Sequence, residues 1–97
     1  MQEQHQTEIK AKLRKPSQYK VLLLNDDFTP MDFVVDLLET IFHKNENEAA
    51  KIMFEVHEKG SGLCGIYTFE VAETKLNQTL ERARQEQHPL QCRLEKV

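Results

Sequence analysis

The sequence predicts an α+β domain with elements in the order strand-helix-helix-strand-helix-strand and its helices stacked on a small sheet. Three observations lead there. Tyr19 to Leu24 is a nearly continuous apolar run with the length and composition of a buried strand. Three later segments repeat apolar residues at helical spacing, each bracketed by capping or breaking residues. Near the end, Leu90, Cys92 and Leu94 alternate with Gln91, Arg93 and Glu95, as in a half-buried strand.

Residues 1–17 hold Gln, Glu, Lys and Thr without usable apolar periodicity, and Pro16 closes them. They are expected to form a flexible extension ahead of a single domain at 18–97. After the first strand, Thr29 offers an N-cap oxygen, Pro30 suits the first helical position and Asp32 completes a Thr-x-x-Asp capping box. The helix so opened places Phe33, Val34, Leu37, Leu38, Ile41 and Phe42 on one face. Asn45 and Glu48 form a second capping signal, before a helix whose apolar face is Ala49, Ile52, Met53, Val56, His57 and Gly60. Gly60 and Gly62 are expected to end it. Leu63 to Thr68 reads as a strand. A third helix from about Glu70 to Gln87 turns Ala72, Leu76, Thr79, Leu80 and Ala83 inward, and Pro89 stops it.

Composition narrows the function. Residues 1–18 carry a net +2, which leaves −5 for the rest of a chain whose total is −3. A body of that sign does not attract phosphate backbones, which argues against nucleic acid as a partner. No apolar run approaches a membrane span and residues 1–18 contain no signal-like apolar stretch, so the chain reads as cytoplasmic with no membrane partner. Cys64 and Cys92 match no zinc or redox spacing and are expected as reduced core residues.

The run Leu22-Leu23-Leu24-Asn25-Asp26-Asp27-Phe28-Thr29-Pro30-Met31 carries the most chemistry. An apolar strand ends in three acceptor side chains and passes at once into a helix start. Met53 and His57 lie one helical turn apart with Val56 beside them. Together these segments can enclose a small apolar pocket with an acceptor-rich, net negative rim. Such a rim suits a cation with several N–H donors attached to an apolar group, as in a free protein N-terminus with a bulky first residue. The alternatives are plain ones. Asn25-Asp26-Asp27 also reads as a turn before a helix, Met53 and Val56 as core, and His57 as a satisfied core histidine. A calcium loop is disfavoured by Phe28, Thr29 and Pro30 at ligand positions, and no metal or other cofactor is expected. Ser61 and Cys64 are possible nucleophiles without an identifiable base or oxyanion turn, so the chain reads as no enzyme, a hydrolase being a distant third reading.

At this point the motifs resemble a known family. Asn25-Asp26-Asp27-Phe28-Thr29-Pro30-Met31 with Phe33-Val34 looks like the signature of ClpS. So do Met53-x-x-Val56-His57, Cys64-Gly65, Glu70-Val71-Ala72-Glu73-Thr74-Lys75 and His88-Pro89-Leu90, in that order, from about residue 17 onward. The resemblance implies a three-stranded antiparallel sheet packed on three helices. It implies an adaptor that binds N-degron substrates through their free α-amino group and bulky first residue (Leu, Phe, Tyr or Trp) and delivers them to the ClpA–ClpP protease. Asn25 and His57 would then bond the α-ammonium, with Asp26 assisting through water. Asp27 and Thr29 would shape the mouth, and Met31, Val34, Met53, Val56 and Leu90 would line the pocket. Met31 would act as gatekeeper against Val and Ile. Glu70 and Lys75, with Glu73 adding, would dock on the N-terminal domain of the ClpA-type AAA+ unfoldase, and residues 1–17 would match the arm that enters its pore. Phe28 stands where the family commonly has Tyr, and Phe69 where relatives often have a small or polar residue. The competing reading is a regulatory scaffold of such a complex that binds no peptide, its pocket merely core.

Overall fold

The computed structural model describes residues 16–97. The expected extension at 1–17 therefore lies outside the described residues, save for Pro16 and Ser17. Six elements follow one another: β1 (Gln18–Leu24), α1 (Met31–Thr40), α2 (Glu46–Lys59), β2 (Ser61–Thr68), α3 (Phe69–Gln85) and β3 (Gln91–Lys96). The strands form one antiparallel sheet in the order β2-β1-β3, so the first strand is central. The fold class is the one expected from the sequence.

Alternation in β1 puts Val21 and Leu23 wholly inside, with Leu22 and Leu24 half-exposed between them. The register carries one irregularity. Val21 faces Gly65 while Leu22 faces Leu63, so Cys64 is an extra residue in β2, a bulge that sends its side chain into the core. Cys92, opposite Leu23 on β3, is also buried, and both thiols are free. Burial pushes the Cys92 thiol up to about 12 and raises Cys64 as well, so neither is a nucleophile at neutral pH.

α1 buries Phe33, Val34, Leu37 and Leu38, the face its spacing dictates. It packs on α2, α2 packs on β2, and α3 lies across all three strands. Arg82 of α3 ties α1 in place, reaching Asp36 at 2.7 Å and the Thr40 hydroxyl at 2.6 Å, with its guanidinium 5.5 Å from the Phe33 ring centre.

The helix ends correct three local expectations. At α1 the N-cap is Pro30 and makes no side-chain bond, because the Thr29 hydroxyl instead donates to Asp26 Oδ2 at 2.7 Å. Thr29 and Asp32 form no capping box, and Asp32 Oδ1 accepts from the next residue, Phe33. At α2 the capping box is present: Glu48 N–H donates to Asn45 Oδ1 at 2.8 Å and Asn45 N–H to Glu48 Oε1 at 3.0 Å. Gly60 alone ends this helix, at φ 89° with its N–H on Val56 O. Gly62 belongs to β2. At α3 the chain leaves the helix earlier than expected, since Gln87 takes a left-handed conformation (φ 60°). His88 N–H then closes onto Ala83 O at 2.8 Å and Gln87 N–H onto Arg84 O at 3.0 Å, a Schellman ending without glycine.

Candidate functional site

The sheet ladder does not stop at Leu24. Asn25 N–H donates to Gly60 O at 2.9 Å, adding one bond between the end of β1 and the C-cap of α2. That bond places Asn25 beside the last turn of α2, where His57 stands. The chain then turns through a loop organised by one carboxylate. Asp26 Oδ1 accepts from Phe28 N–H at 2.8 Å and Thr29 N–H at 2.7 Å, while Oδ2 takes the Thr29 hydroxyl. Burial opposes the charge on Asp26, yet these three bonds outweigh it and His88 adds a smaller effect, so its carboxyl titrates below the usual range. The loop delivers the chain into α1 at Met31.

Between the loop, the start of α1 and the second half of α2 lies a hollow of about 210 Å³. Asn25, Asp26, Asp27, Thr29, Met31, Val34, Met53, Val56 and His57 line it, nine of the ten residues expected to form a pocket on sequence grounds. Val34, Met53 and Val56 are buried and make its apolar walls, whereas Met31 is 46% exposed at the mouth. Asn25, Asp27 and His57 are exposed at the rim. Leu90 departs from expectation. It is buried in the core and is not among the residues that line the hollow.

The electrostatics of the hollow favour a cation. Its lining has two carboxylates, one imidazole and no Lys or Arg. It also opens beside the last turn of α2, the negative end of the helix dipole. Asp26 has already committed to the loop, so of the four lone-pair positions of a carboxylate it spends three on its own chain. Asn25, Asp27 and His57 have side-chain acceptors that make no hydrogen bond among the described residues. Ser61 and Cys64, the two possible nucleophiles, do not line the hollow. Among the described residues no three His, Cys, Asp or Glu side chains stand close enough to hold a metal ion. No helix among them is long and apolar enough to cross a membrane.

A second concavity, open and larger at about 790 Å³, runs between the end of α1 and α3. Glu70 and Lys75 line it, while Glu73 is exposed on α3 outside its lining. Sequence reasoning missed what Lys75 does within the fold. Its Nζ donates to Ile41 O at 2.6 Å and lies 5.8 Å from the Phe42 ring centre and 5.4 Å from that of Tyr67. α1 has no basic residue in its own last turn, and Lys75 supplies the missing cation from another helix. Nothing in the local sequence signals a contact between residues so far apart.

These features define a small α+β domain with an open, acceptor-rimmed apolar hollow. The family described as "ATP-dependent Clp protease adaptor protein ClpS" matches residues 14–93. The chain belongs to the ClpS family of Clp protease adaptors. It is 62% identical over 87 residues to the ATP-dependent Clp protease adapter protein ClpS of Rhodospirillum centenum, covering 90% of this chain and 81% of that one. To the protein of the same description from Caulobacter vibrioides it is 58% identical over 90 residues, covering 93% and 83%. Among solved structures, Agrobacterium tumefaciens ClpS2 bound to L-phenylalaninamide superposes with a TM-score of 0.83 at 32% identity, over 86% of this chain and 100% of that one.

Proposed function

We propose that this adaptor captures protein substrates by their free α-amino group and a bulky hydrophobic first residue (Leu, Phe, Tyr or Trp) and hands them, in the cytoplasm, to a ClpA-type AAA+ unfoldase working with ClpP. The observation that carries the reading is the shared hollow, where acceptors of Asn25 and His57 and the charge of Asp26 and Asp27 meet walls made by Val34, Met53 and Val56. The ligand of the Agrobacterium relative, L-phenylalaninamide, has this chemistry: an α-amino group on an aromatic residue.

The energies suffice for binding without covalent chemistry. An α-amino group has an ordinary pKa of about 7.7–8.0 and is mostly charged at neutral pH. Each hydrogen bond to it contributes roughly 1.5–3 kcal/mol, and burying a Leu- or Phe-sized side chain about as much. Two or three bonds and one filled hollow sum to roughly 5–12 kcal/mol before the cost of association, so micromolar affinity, about −8 kcal/mol, is within reach. Glu70, Glu73 and Lys75 on α3 are the residues proposed to meet the N-terminal domain of the unfoldase.

The test is a fluorescence titration with Leu- and Phe-initiated peptides, their N-acetylated forms and an Ala-initiated control. Acetylation removes both the charge and the donors and is expected to abolish binding. Equal affinity for free and acetylated peptides would overturn the reading.

A further inference from the structure

Phe54 is 53% exposed in the middle of α2, an aromatic ring that takes no part in the core. The spacing of its neighbours gives that exposure a direction. Parallel stripes run along α2, each with members four and three residues apart. Ala49, Met53 and Val56 form the buried stripe, and Lys51, Glu55 and Glu58 a charged one. Between these two lie Ala50, Phe54 and His57, without formal charge when the imidazole is neutral. His57 lines the hollow together with Met53 and Val56, so the uncharged stripe starts at the rim and leads away from it.

We infer that this stripe is a track for the peptide as it leaves the hollow, on which Phe54 takes the side chain of the third residue and favours an aromatic or large aliphatic one. This rests on the proposed binding of amino-terminal residues in the hollow. With a first side chain inside and its ammonium at the rim, the rest of the peptide must pass over one bank or the other. The turn carries Asp26 and Asp27, and a peptide laid across it strips water from charged groups. The stripe on α2 offers an aromatic ring instead, and covering that is favourable. Register then selects the residue. Alternate side chains of an extended peptide share one side, so the second points to water and the third returns to the surface roughly 7 Å from the first. Helical neighbours three apart, as His57 and Phe54 are, have Cβ atoms about 5–6 Å apart, a step of similar size. A third-residue Phe can pack edge-on or offset against Phe54, a Leu can cover part of it, and an Ala reaches little of it.

The experiment compares peptides that begin Leu-Ala-Phe, Leu-Ala-Leu, Leu-Ala-Ala and Leu-Phe-Ala, identical and uncharged beyond position three, each with a fluorophore at the far end. In the unaltered protein Leu-Ala-Phe is expected to bind roughly threefold to tenfold more tightly than Leu-Ala-Ala, the scale of one aromatic pair. Leu-Ala-Leu should fall between them, and Leu-Phe-Ala should match Leu-Ala-Ala. The quantity read in each variant is the Leu-Ala-Phe to Leu-Ala-Ala ratio, which cancels any general loss of binding. It should fall to about twofold or less in Phe54→Gln, which keeps a good helix former at the position, and persist in Phe54→Tyr. Raised salt should leave it unchanged, since no ion pair is involved. Equal affinities for all four peptides would overturn the track and leave the hollow intact. An equal gain from Phe at position two would mean unregistered adhesion and overturn the placement. A preference that survives Phe54→Gln would overturn the assignment to α2. If no Leu-initiated peptide binds at all, the reading of the hollow fails and this inference with it.

Discussion

The Cβ that Gly62 lacks would stand 2.6 Å from Cγ2 of Val56 and 3.1 Å from the carbonyl oxygen of Ile52. β2 therefore presses its bare backbone against α2 beneath the hollow, and one wall residue of the site is positioned by a glycine in another element. Gly62→Ala is expected to cost about 1–3 kcal/mol through overpacking, read as a lower urea midpoint at unchanged slope. Peptide affinity should drop with it as Val56 is displaced. Gly60→Ala meets no atom and suffers only its left-handed backbone, so it should cost about 1 kcal/mol. A Gly62→Ala protein as stable as its parent would contradict the contact.

Asp26 links the site to pH. Its carboxyl is depressed in the folded protein, so its contribution to stability is complete above the ordinary carboxylate pKa of about 3.9 and disappears as pH falls through the lower folded value. Asp26→Ala should cost about 1 kcal/mol at pH 7, comparable to losing a helix cap, and the gap between variant and parent should close toward pH 2. Urea unfolding at several pH values measures it. A gap that widens in acid would reverse the assignment.

If first residues enter the hollow as proposed, Met31 should bear on which of them fit. It stands half-exposed at the mouth, where a β-branched side chain would carry its bulk. Met31→Ala is expected to raise affinity for Val- and Ile-initiated peptides roughly tenfold, the scale of one removed methylene clash, with Leu-initiated peptides little changed. Titration of the three peptides decides it.

Lys75 has a structural duty whatever it does in docking. Lys75→Met should lower stability by roughly 1–2 kcal/mol, since it removes the charged donor on Ile41 O at the end of α1. Amide exchange near Ile41 and Phe42 should quicken selectively. An unfoldase-binding defect in such a variant is meaningful only beside that measurement.

The periodic segments and the Asn45-Glu48 box were legible in the sequence because each is decided by residues within one or two turns of one another. The start of α1 was not. Thr29 and Asp26 are both competent to organise a helix entry, and only the direction in which the chain leaves β1 selects Asp26 as the acceptor and Thr29 as a donor. Gly62 is an error of the same kind: a glycine reads as a helix stop until the strand beside it is known. The residues of the hollow came from short motifs. Their convergence depends on the bond from Asn25 to Gly60, which joins segments that the sequence alone leaves apart.

Thr79 is fully buried on α3, and its hydroxyl has no hydrogen-bond partner among the described residues. Thr79→Val keeps the shape and removes an unmet polar group, so it should stabilise by about 1–2 kcal/mol. For a domain of this size that raises Tm by about 4–8 °C per kcal/mol, an increase calorimetry resolves easily. An unchanged or lower Tm would mean the hydroxyl finds a partner after all.

β1 is bonded on both flanks, and Asn25 N–H on Gly60 O and Val97 N–H on Gln18 O lengthen its two ladders by one rung each. Amides in the middle of such a strand give up their protons only when both neighbours let go together, among the slowest events in a protein this small. The rim at Asn25 is fastened to this slowest part of the molecule. Any give needed to admit differently shaped cargo must then come from the exposed thioether of Met31 at the mouth.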